Sequence, residues 1–111
     1  DPAPLEAAGA EVREFAAGSA GVDVSEVLGE LAARGVNDVL VEAGPGLTGH
    51  LLEQALVDEL VIYQAPHIMG SETRRMFATP SWQTLADRRA LEISDVRRVG
   101  GDTRITARVQ L

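Results

Sequence analysis

A six-residue stretch in the middle of the chain has the residue types and spacing of an anion-binding turn. The pattern G-x-G-x-x-G is spelled by Gly44, Pro45, Gly46, Leu47, Thr48 and Gly49. It follows an apolar run, residues 36–42, and opens an amphipathic segment, so it lies where a strand passes into a helix. Free backbone N–H groups and the positive end of a helix dipole meet at such a turn, which is how α/β proteins hold a phosphate or pyrophosphate.

The glycine pattern also fits explanations other than cofactor binding. A Rossmann dinucleotide unit needs an acidic residue near the end of its second strand, where this chain has Ala65, Pro66 and His67. A phosphoryl-transfer P-loop needs a lysine after the glycines, and the chain contains none. The glycines can also serve only to permit a tight strand-to-helix turn. The pattern by itself leaves cofactor binding and a purely architectural turn open.

Three side chains beside the turn could take part in chemistry. Glu42 ends the apolar run, where a carboxylate can accept hydrogen bonds from a substrate, cap the next helix or pair with an arginine. Thr48 can donate its hydroxyl to a phosphate or to a preceding carbonyl. His50 has no carboxylate partner recognisable in the sequence, which favours a surface residue over a catalytic base. No catalytic acid or base can be assigned from these residues.

Composition excludes several classes of function. A net charge of -7 over 111 residues disfavours binding to nucleic acid or to an anionic membrane. Because the chain has no cysteine and only two histidines, we predict no metal site. The apolar runs are too short to cross a bilayer, and no secretory signal follows Asp1. We therefore expect a single cytoplasmic domain, residues 1–111.

Capping signals predict one helix with clear boundaries. Asp23 followed three residues later by Glu26 forms a capping box, and Gly35 is placed to end the helix in a Schellman motif. Apolar spacing predicts further elements: a final helical turn over residues 5–8 closed by Gly9, at most a short edge strand over 10–15, a buried parallel strand over 36–42, a helix from the glycine turn to about Leu56, a strand over 60–64 and a short helix near 81–86.

The last part of the chain is predicted to form a β-hairpin. Residues 91–99 and 104–111 are rich in alternating apolar side chains and are separated by Gly100, Gly101 and Asp102. The alternation changes phase between Ile93 and Val96, which predicts a bulge near Ser94 and Asp95. Two long strands with an exposed edge also suggest that the chain forms a homodimer through this hairpin.

Several linked motifs resemble the reductase domain of the bifunctional riboflavin-biosynthesis deaminase/reductase. They extend from about Leu5 to Val109, and the most specific are Glu42-Ala43-Gly44-Pro45-Gly46-Leu47, Leu56-Val57-Asp58-Glu59-Leu60 and Tyr63-Gln64-Ala65-Pro66, with Gly70 beyond. The family usually has Gly where this chain has Ala43, and Thr or Ser where it has Gly46. The extra methyl group would crowd an unusual backbone conformation, and the missing hydroxyl removes a possible phosphate ligand.

The resemblance implies a fold, a cofactor and an activity. The fold would be α/β, a dihydrofolate-reductase-like mixed sheet flanked by helices and truncated at the amino end. The activity would be NADPH-dependent reduction of 5-amino-6-(5-phosphoribosylamino)uracil, a phosphorylated pyrimidine-ribose. The turn would then contact NADPH through Gly44, Pro45, Gly46, Leu47, Thr48, Gly49 and His50, and Glu42 would face the substrate. A Rossmann-like dehydrogenase fragment and a non-catalytic dimerisation or assembly module are the alternatives.

Overall fold

A computed structural model describes residues 1–18, 21–79 and 82–110. The chain divides into two compact units, Asp1–Val39 and Leu40–Leu111. The first unit contains the helices α1 (Ala3–Ala7) and α2 (Val24–Ala33) and the short strands β1 (Ala17–Gly18) and β2 (Gly21–Val22). The second contains helix α3 (Pro45–Glu53) and the strands β3 (Glu59–Gln64), β4 (Ala90–Val99) and β5 (Asp102–Gln110). No helix in the described ranges has the length and apolarity needed to cross a membrane.

Helix α2 begins at the predicted N-cap. The Asp23 carboxylate accepts hydrogen bonds from the backbone N–H groups of Ser25, at 2.9 Å, and Glu26, at 3.3 Å. In a complete capping box the Glu26 side chain would accept from the Asp23 N–H, but that group donates to the Ala16 carbonyl at 3.4 Å. The predicted cap is therefore confirmed, with a backbone carbonyl in place of the returning carboxylate.

The glycine stops of the first unit are also confirmed. Gly35 has a φ of 84°, and Gly9, which follows α1, has a φ of 89°. After α2 the Val36 N–H donates to the Leu31 carbonyl at 3.1 Å, which is the outer bond of a Schellman motif. Glycine is favoured at both sites because a Cβ is costly in this left-handed backbone region.

The short edge strand considered for residues 10–15 does not form. An ion pair connects this segment to the end of α2 instead, because the Arg34 guanidinium contacts the Glu11 carboxylate at 2.7 Å. Within the segment, Arg13 contacts the same carboxylate at 2.7 Å. Hydrogen bonds from Arg34 and then Arg13 lower the pKa of Glu11 to about 2. Because these groups are exposed, the ion pairs position the segment with little gain in stability.

The second unit is organised around a three-stranded antiparallel sheet in the order β3-β5-β4. Its central strand places Ala107 opposite Leu60 on one side and Ile93 on the other, and Ala107 is 0% exposed. The predicted hairpin and bulge are confirmed, because the register between β4 and β5 shifts between Ile93 and Asp95. The predicted strand over residues 60–64 is confirmed as β3, which begins one residue earlier.

The buried parallel strand predicted for residues 36–42 is wrong. This segment forms no strand, and Val39, Leu40 and Val41 are 46%, 81% and 43% exposed. A strand buried on both faces needs hydrogen-bonded neighbours, and every strand pair in the described ranges is antiparallel and involves other segments. The predicted βαβ unit therefore has its helix and its second strand but not its first.

The short helix predicted near residues 81–86 is also absent from 82–86, while Ser81 lies outside the described ranges. A turn occurs there instead, because the Asp87 carboxylate accepts from the Thr84 N–H at 3.0 Å and from its hydroxyl at 2.8 Å. These hydrogen bonds hold the pKa of Asp87 below its ordinary value, and the bond from the Thr84 hydroxyl has the largest effect. Local side-chain bonds of this kind compete with helix formation.

Helix α3 ends at Glu53, three residues before the predicted end near Leu56, because Ala55 adopts a left-handed backbone with a φ of 56°. The Leu56 N–H then donates to the Leu51 carbonyl at 2.9 Å, completing a Schellman motif without glycine.

We expect the substitution Ala55→Gly to stabilise the protein by about 0.5–1 kcal/mol, because relief of left-handed strain exceeds the added entropy of the unfolded chain. Thermal unfolding followed by circular dichroism would measure this change. A lower melting temperature for the variant would contradict it.

Candidate functional site

The glycine turn forms the amino end of α3. Gly44 is the N-cap, with φ -73° and ψ 171°, and Pro45 occupies the first helical position. Proline has no N–H, so the first backbone donors at this end belong to Gly46 and Leu47, and in the described ranges no side chain caps the helix. Apart from the adjacent residues and the backbone of α3 itself, no described atom lies within 4 Å of the position that a Cβ would take at Gly44 or Gly46. The turn therefore presents two open donors at the positive end of a helix dipole.

Two side chains near these donors differ in whether a ligand can bind them. The Thr48 hydroxyl donates to the Gly44 carbonyl at 3.0 Å and also lies 3.4 Å from the Ala43 carbonyl, so its proton is directed into the turn. Glu42 is exposed, and it neither caps α3 nor joins an ion pair within the described ranges. Of these two side chains, only the Glu42 carboxylate is open to a ligand.

Ala43 does not have the unusual backbone conformation expected from the family comparison. Ala55 is the only non-glycine residue in the described ranges with a positive φ. The methyl group of Ala43 is therefore accommodated without left-handed strain. Gly46, the other departure noted in the sequence, has open space beside it, where the resemblance would place a hydroxyl side chain.

Gly49, the third glycine, faces the protein rather than solvent. It is buried, and a Cβ at this position would overlap the backbone of Ala78. The Ala78 N–H also donates to the Pro45 carbonyl at 2.9 Å, so the segment around Ala78 crosses the first turns of α3. This contact was missed at the sequence level, although a glycine inside a helix usually has a packing reason.

The carboxyl end of α3 is held by a second contact. Arg89 donates to the Glu53 carbonyl at 3.4 Å, and its guanidinium lies 5.4 Å from the centre of the Trp82 ring. A cation near the last carbonyls of a helix interacts favourably with the helix dipole. Together with the Ala78 contact, this arrangement fixes the helix that presents the glycine turn.

His50 has a carboxylate neighbour on its own helix. It belongs to the last turn of α3, is partly exposed, and has its Nδ1 3.9 Å from a carboxylate oxygen of Glu53. The sequence did not identify this partner, which is three residues along the same helix. A contact of this length at a partly exposed position is weak, and the role of His50 in cofactor binding stays a prediction.

A concavity of about 530 Å³ occurs in the first unit, beside the end of α1. It is lined by Glu6, Gly9, Ala10, Glu11, Val12 and Arg13 and contains none of the predicted site residues. Its lining residues are exposed except for the half-buried Val12, and they include the carboxylate that already pairs with Arg34. We assign the candidate site to the open donors of α3, because this concavity has no unpaired buried polar group.

The architecture defines the class of protein. The structure matches two solved structures of RibD from Acinetobacter baumannii, form 1 and form 2, with a TM-score of 0.85 for each and 25% and 26% sequence identity. The matches cover 98% and 97% of this chain and 29% of each RibD chain. The chain thus has the α/β, dihydrofolate-reductase-like fold that the sequence predicted. Residues 5–105 match the model of the RibD C-terminal domain, and the chain belongs to that family.

Curated relatives agree with this assignment. Riboflavin biosynthesis protein RibD of Escherichia coli is 38% identical over 81 residues, which are 73% of this chain and 22% of that protein. A 5-amino-6-(5-phosphoribosylamino)uracil reductase of Buchnera aphidicola is 30% identical over 84 residues, covering 76% of this chain and 41% of that enzyme. The chain therefore spans about a fifth of the first of these relatives and less than half of the second.

Proposed function

We propose that this chain acts in riboflavin biosynthesis as part of an NADPH-dependent reductase of 5-amino-6-(5-phosphoribosylamino)uracil. The observation that carries the proposal is the open amino end of α3, where the N–H groups of Gly46 and Leu47 meet the positive end of the helix dipole. The Buchnera relative gives independent support, because it is a reductase of this substrate.

The residues of the turn fit the diphosphate of a nicotinamide cofactor. Gly44 and Gly46 lack side chains at two exposed positions, so a diphosphate can approach the backbone closely. When bound, NADPH supplies the hydride for the reduction. The protein would bind the phosphates at the Gly46 and Leu47 amides and hold the sugar of the substrate through the Glu42 carboxylate. We assign no catalytic acid or base.

Glu42 is the substrate contact in this proposal. Its carboxylate immediately precedes the turn and is open in the described ranges, so it can accept hydrogen bonds from the hydroxyl groups of a ribose. The other residues that the sequence assigned to the cofactor are not equally accessible to a ligand. Leu47 is exposed, whereas Gly49 is buried and the Thr48 hydroxyl donates its proton to the Gly44 carbonyl. We therefore place cofactor binding mainly on Gly44, Gly46 and Leu47.

Titration with NADPH, NADH and NADP tests the proposal, with calorimetry as the readout. We expect NADPH to bind in preference to NADH, and the substitution Gly44→Val to weaken NADPH binding at least about tenfold. Valine fits the fold at this position because the φ of Gly44 is negative and the space beside it is open. Its lower N-cap preference would cost only about 1 kcal/mol.

Gly70→Val is the matched control, since Gly70 is also exposed, with open space beside it and no left-handed φ. We expect this variant to bind NADPH like the unaltered chain. Equal binding of NADH would favour the Rossmann alternative. Absence of binding to all three nucleotides, or equal loss in both variants, would reject the turn as a cofactor site.

The proposal also includes a homodimer in the cytoplasm, with a small phosphorylated pyrimidine-ribose as substrate and no nucleic-acid partner. The cytoplasmic location stays a prediction from composition. Dimerisation has a specific candidate surface, the outer edge of β4. The same surface would serve the alternative function, a non-catalytic dimerisation or assembly module.

A further inference from the structure

Two adjacent arginines lie just before the point where the chain crosses the first turns of α3. Arg74 and Arg75 precede Ala78 by four and three residues. The Ala78 N–H donates to the Pro45 carbonyl at 2.9 Å, and Gly46, which carries the first open donor of the turn, follows Pro45 directly. Because consecutive Cα atoms are about 3.8 Å apart, the Cα of Arg75 lies within about 11 Å of that of Ala78. The long side chains of the pair can therefore reach the surroundings of the open donors.

The crossing is held by packing as well as by this hydrogen bond. Gly49 is buried, and a Cβ at this position would overlap the backbone of Ala78, so the two segments are in direct contact. Both segments belong to the same compact unit, Leu40–Leu111. The contact therefore keeps the arginine pair near the amino end of α3.

The side chains of Arg74 and Arg75 are available to an anion. Both residues are exposed, and neither joins an ion pair within the described ranges. By contrast, Arg97 and Arg104 on the hairpin both contact the Asp95 carboxylate, at 2.7 and 3.3 Å. A guanidinium without such a partner keeps its donors for a ligand, and their planar arrangement matches a phosphate in a bidentate contact.

The chemistry of the cofactor indicates which phosphate these arginines would bind. In the proposed function, the amides of Gly46 and Leu47 already bind the diphosphate. NADPH carries one further phosphate that NADH lacks, on the 2′-oxygen of the adenosine ribose. Dinucleotide-binding proteins distinguish the two cofactors by charge at this ribose, because an acid binds the free hydroxyl of NADH and an arginine accommodates the 2′-phosphate.

The charges around the pair favour the phosphorylated cofactor. Residues 65–79 contain two arginines and a single carboxylate, that of Glu72, in a chain whose net charge is -7. The end of β3 is followed by Ala65, Pro66 and His67, so no acid stands where a ribose hydroxyl would need one. The segment therefore offers a local excess of positive charge to a phosphate.

We propose that Arg74 and Arg75 bind the 2′-phosphate of NADPH and set the preference of this chain for NADPH over NADH. The inference rests on the proposed function, because it assumes that the diphosphate lies at the amino end of α3. The pair contacts the cofactor away from its reacting nicotinamide, so it determines specificity and takes no part in hydride transfer.

Calorimetric titration of the double variant Arg74→Ala/Arg75→Ala with NADPH and NADH tests the proposal. We expect NADPH to bind at least about tenfold more weakly than to the unaltered chain, because hydrogen bonds to a charged group are lost. The Kd for NADH, which has no 2′-phosphate, should stay the same. Adenosine 2′,5′-bisphosphate and adenosine 5′-monophosphate should repeat this difference without the nicotinamide, the bisphosphate alone losing affinity.

The double variant Arg98→Ala/Arg108→Ala is the matched control. It removes the same charge from two exposed arginines of the hairpin that join no ion pair within the described ranges. We expect it to bind NADPH like the unaltered chain, and circular dichroism would check that both double variants are folded.

Three results would overturn the proposal while leaving the cofactor site intact. They are full NADPH affinity in the Arg74→Ala/Arg75→Ala variant, an equal loss for NADPH and NADH, which would place the pair at the diphosphate, and an equal loss in the control variant, which would show only the effect of net charge. Failure of the unaltered chain to bind NADPH would reject both this proposal and the proposed function.

Discussion

Replacement of Gly49 by alanine is expected to destabilise the second unit by about 2–3 kcal/mol, the upper part of the usual range for forcing extra volume into a packed site. The cause is the overlap of the new Cβ with the backbone of Ala78. Backbone atoms cannot rotate aside like the end of a side chain, and Ala78 is also held by its hydrogen bond to the Pro45 carbonyl. Chemical denaturation followed by circular dichroism would measure the loss.

Gly46→Ala in the same helix is the matched control for this substitution. The space beside Gly46 is open, and alanine is a better helix former than glycine, so we expect a gain of up to about 1 kcal/mol. The two variants therefore make the same chemical change, and we expect opposite effects on the free energy of unfolding. Similar stability in both would show that the segment around Ala78 does not pack against α3.

Replacement of Leu52 by alanine is expected to cost about 3 kcal/mol, within the range measured for buried leucines. Leu52 is 4% exposed and lies on the inner side of α3, as does Leu51, also at 4%. Removing the side chain leaves a cavity that a fixed helix cannot fill completely. Because α3 also carries the glycine turn, the proposed NADPH binding would fall in proportion to the unfolded fraction.

Leu40→Ala is the informative comparison for Leu52→Ala, since both remove the same atoms. Leu40 is 81% exposed, so its substitution should change stability by no more than about 0.5 kcal/mol. The apolar pattern of residues 36–42 makes the opposite prediction, a loss as large as at Leu52. Chemical denaturation of the two variants would measure both free energies of unfolding and show whether Leu40 is buried, as the apolar pattern predicts, or exposed, as in the structure.

Both ends of α2, the glycine stop after α1 and the hairpin could be predicted because their determinants are close together in the chain, whereas the left-handed Ala55 that ends α3 early was missed. The Asp23 cap, the Gly35 stop and the bulge between Ile93 and Asp95 each depend on residues a few positions apart or on a direct strand partner. The glycine turn was recognised for the same reason. Its open donors follow from an N-cap glycine and a proline at the next position.

Tertiary structure decided the features that depend on distant partners. Val39, Leu40 and Val41 have the composition of a buried strand, but burial requires neighbouring strands that local composition cannot specify. Gly49 was assigned with the other glycines, and its contact with Ala78 joins residues far apart in sequence.

The sequence by itself determined the cap of α2, the glycine stops of the first unit and the hairpin with its bulge and, through its linked motifs, the family. Only the folded chain showed which amides of the turn stay open, which glycine is covered and which strand forms the sheet edge. The physical reason is that capping and turn formation are short-range interactions, whereas burial and strand pairing depend on what the rest of the chain brings alongside.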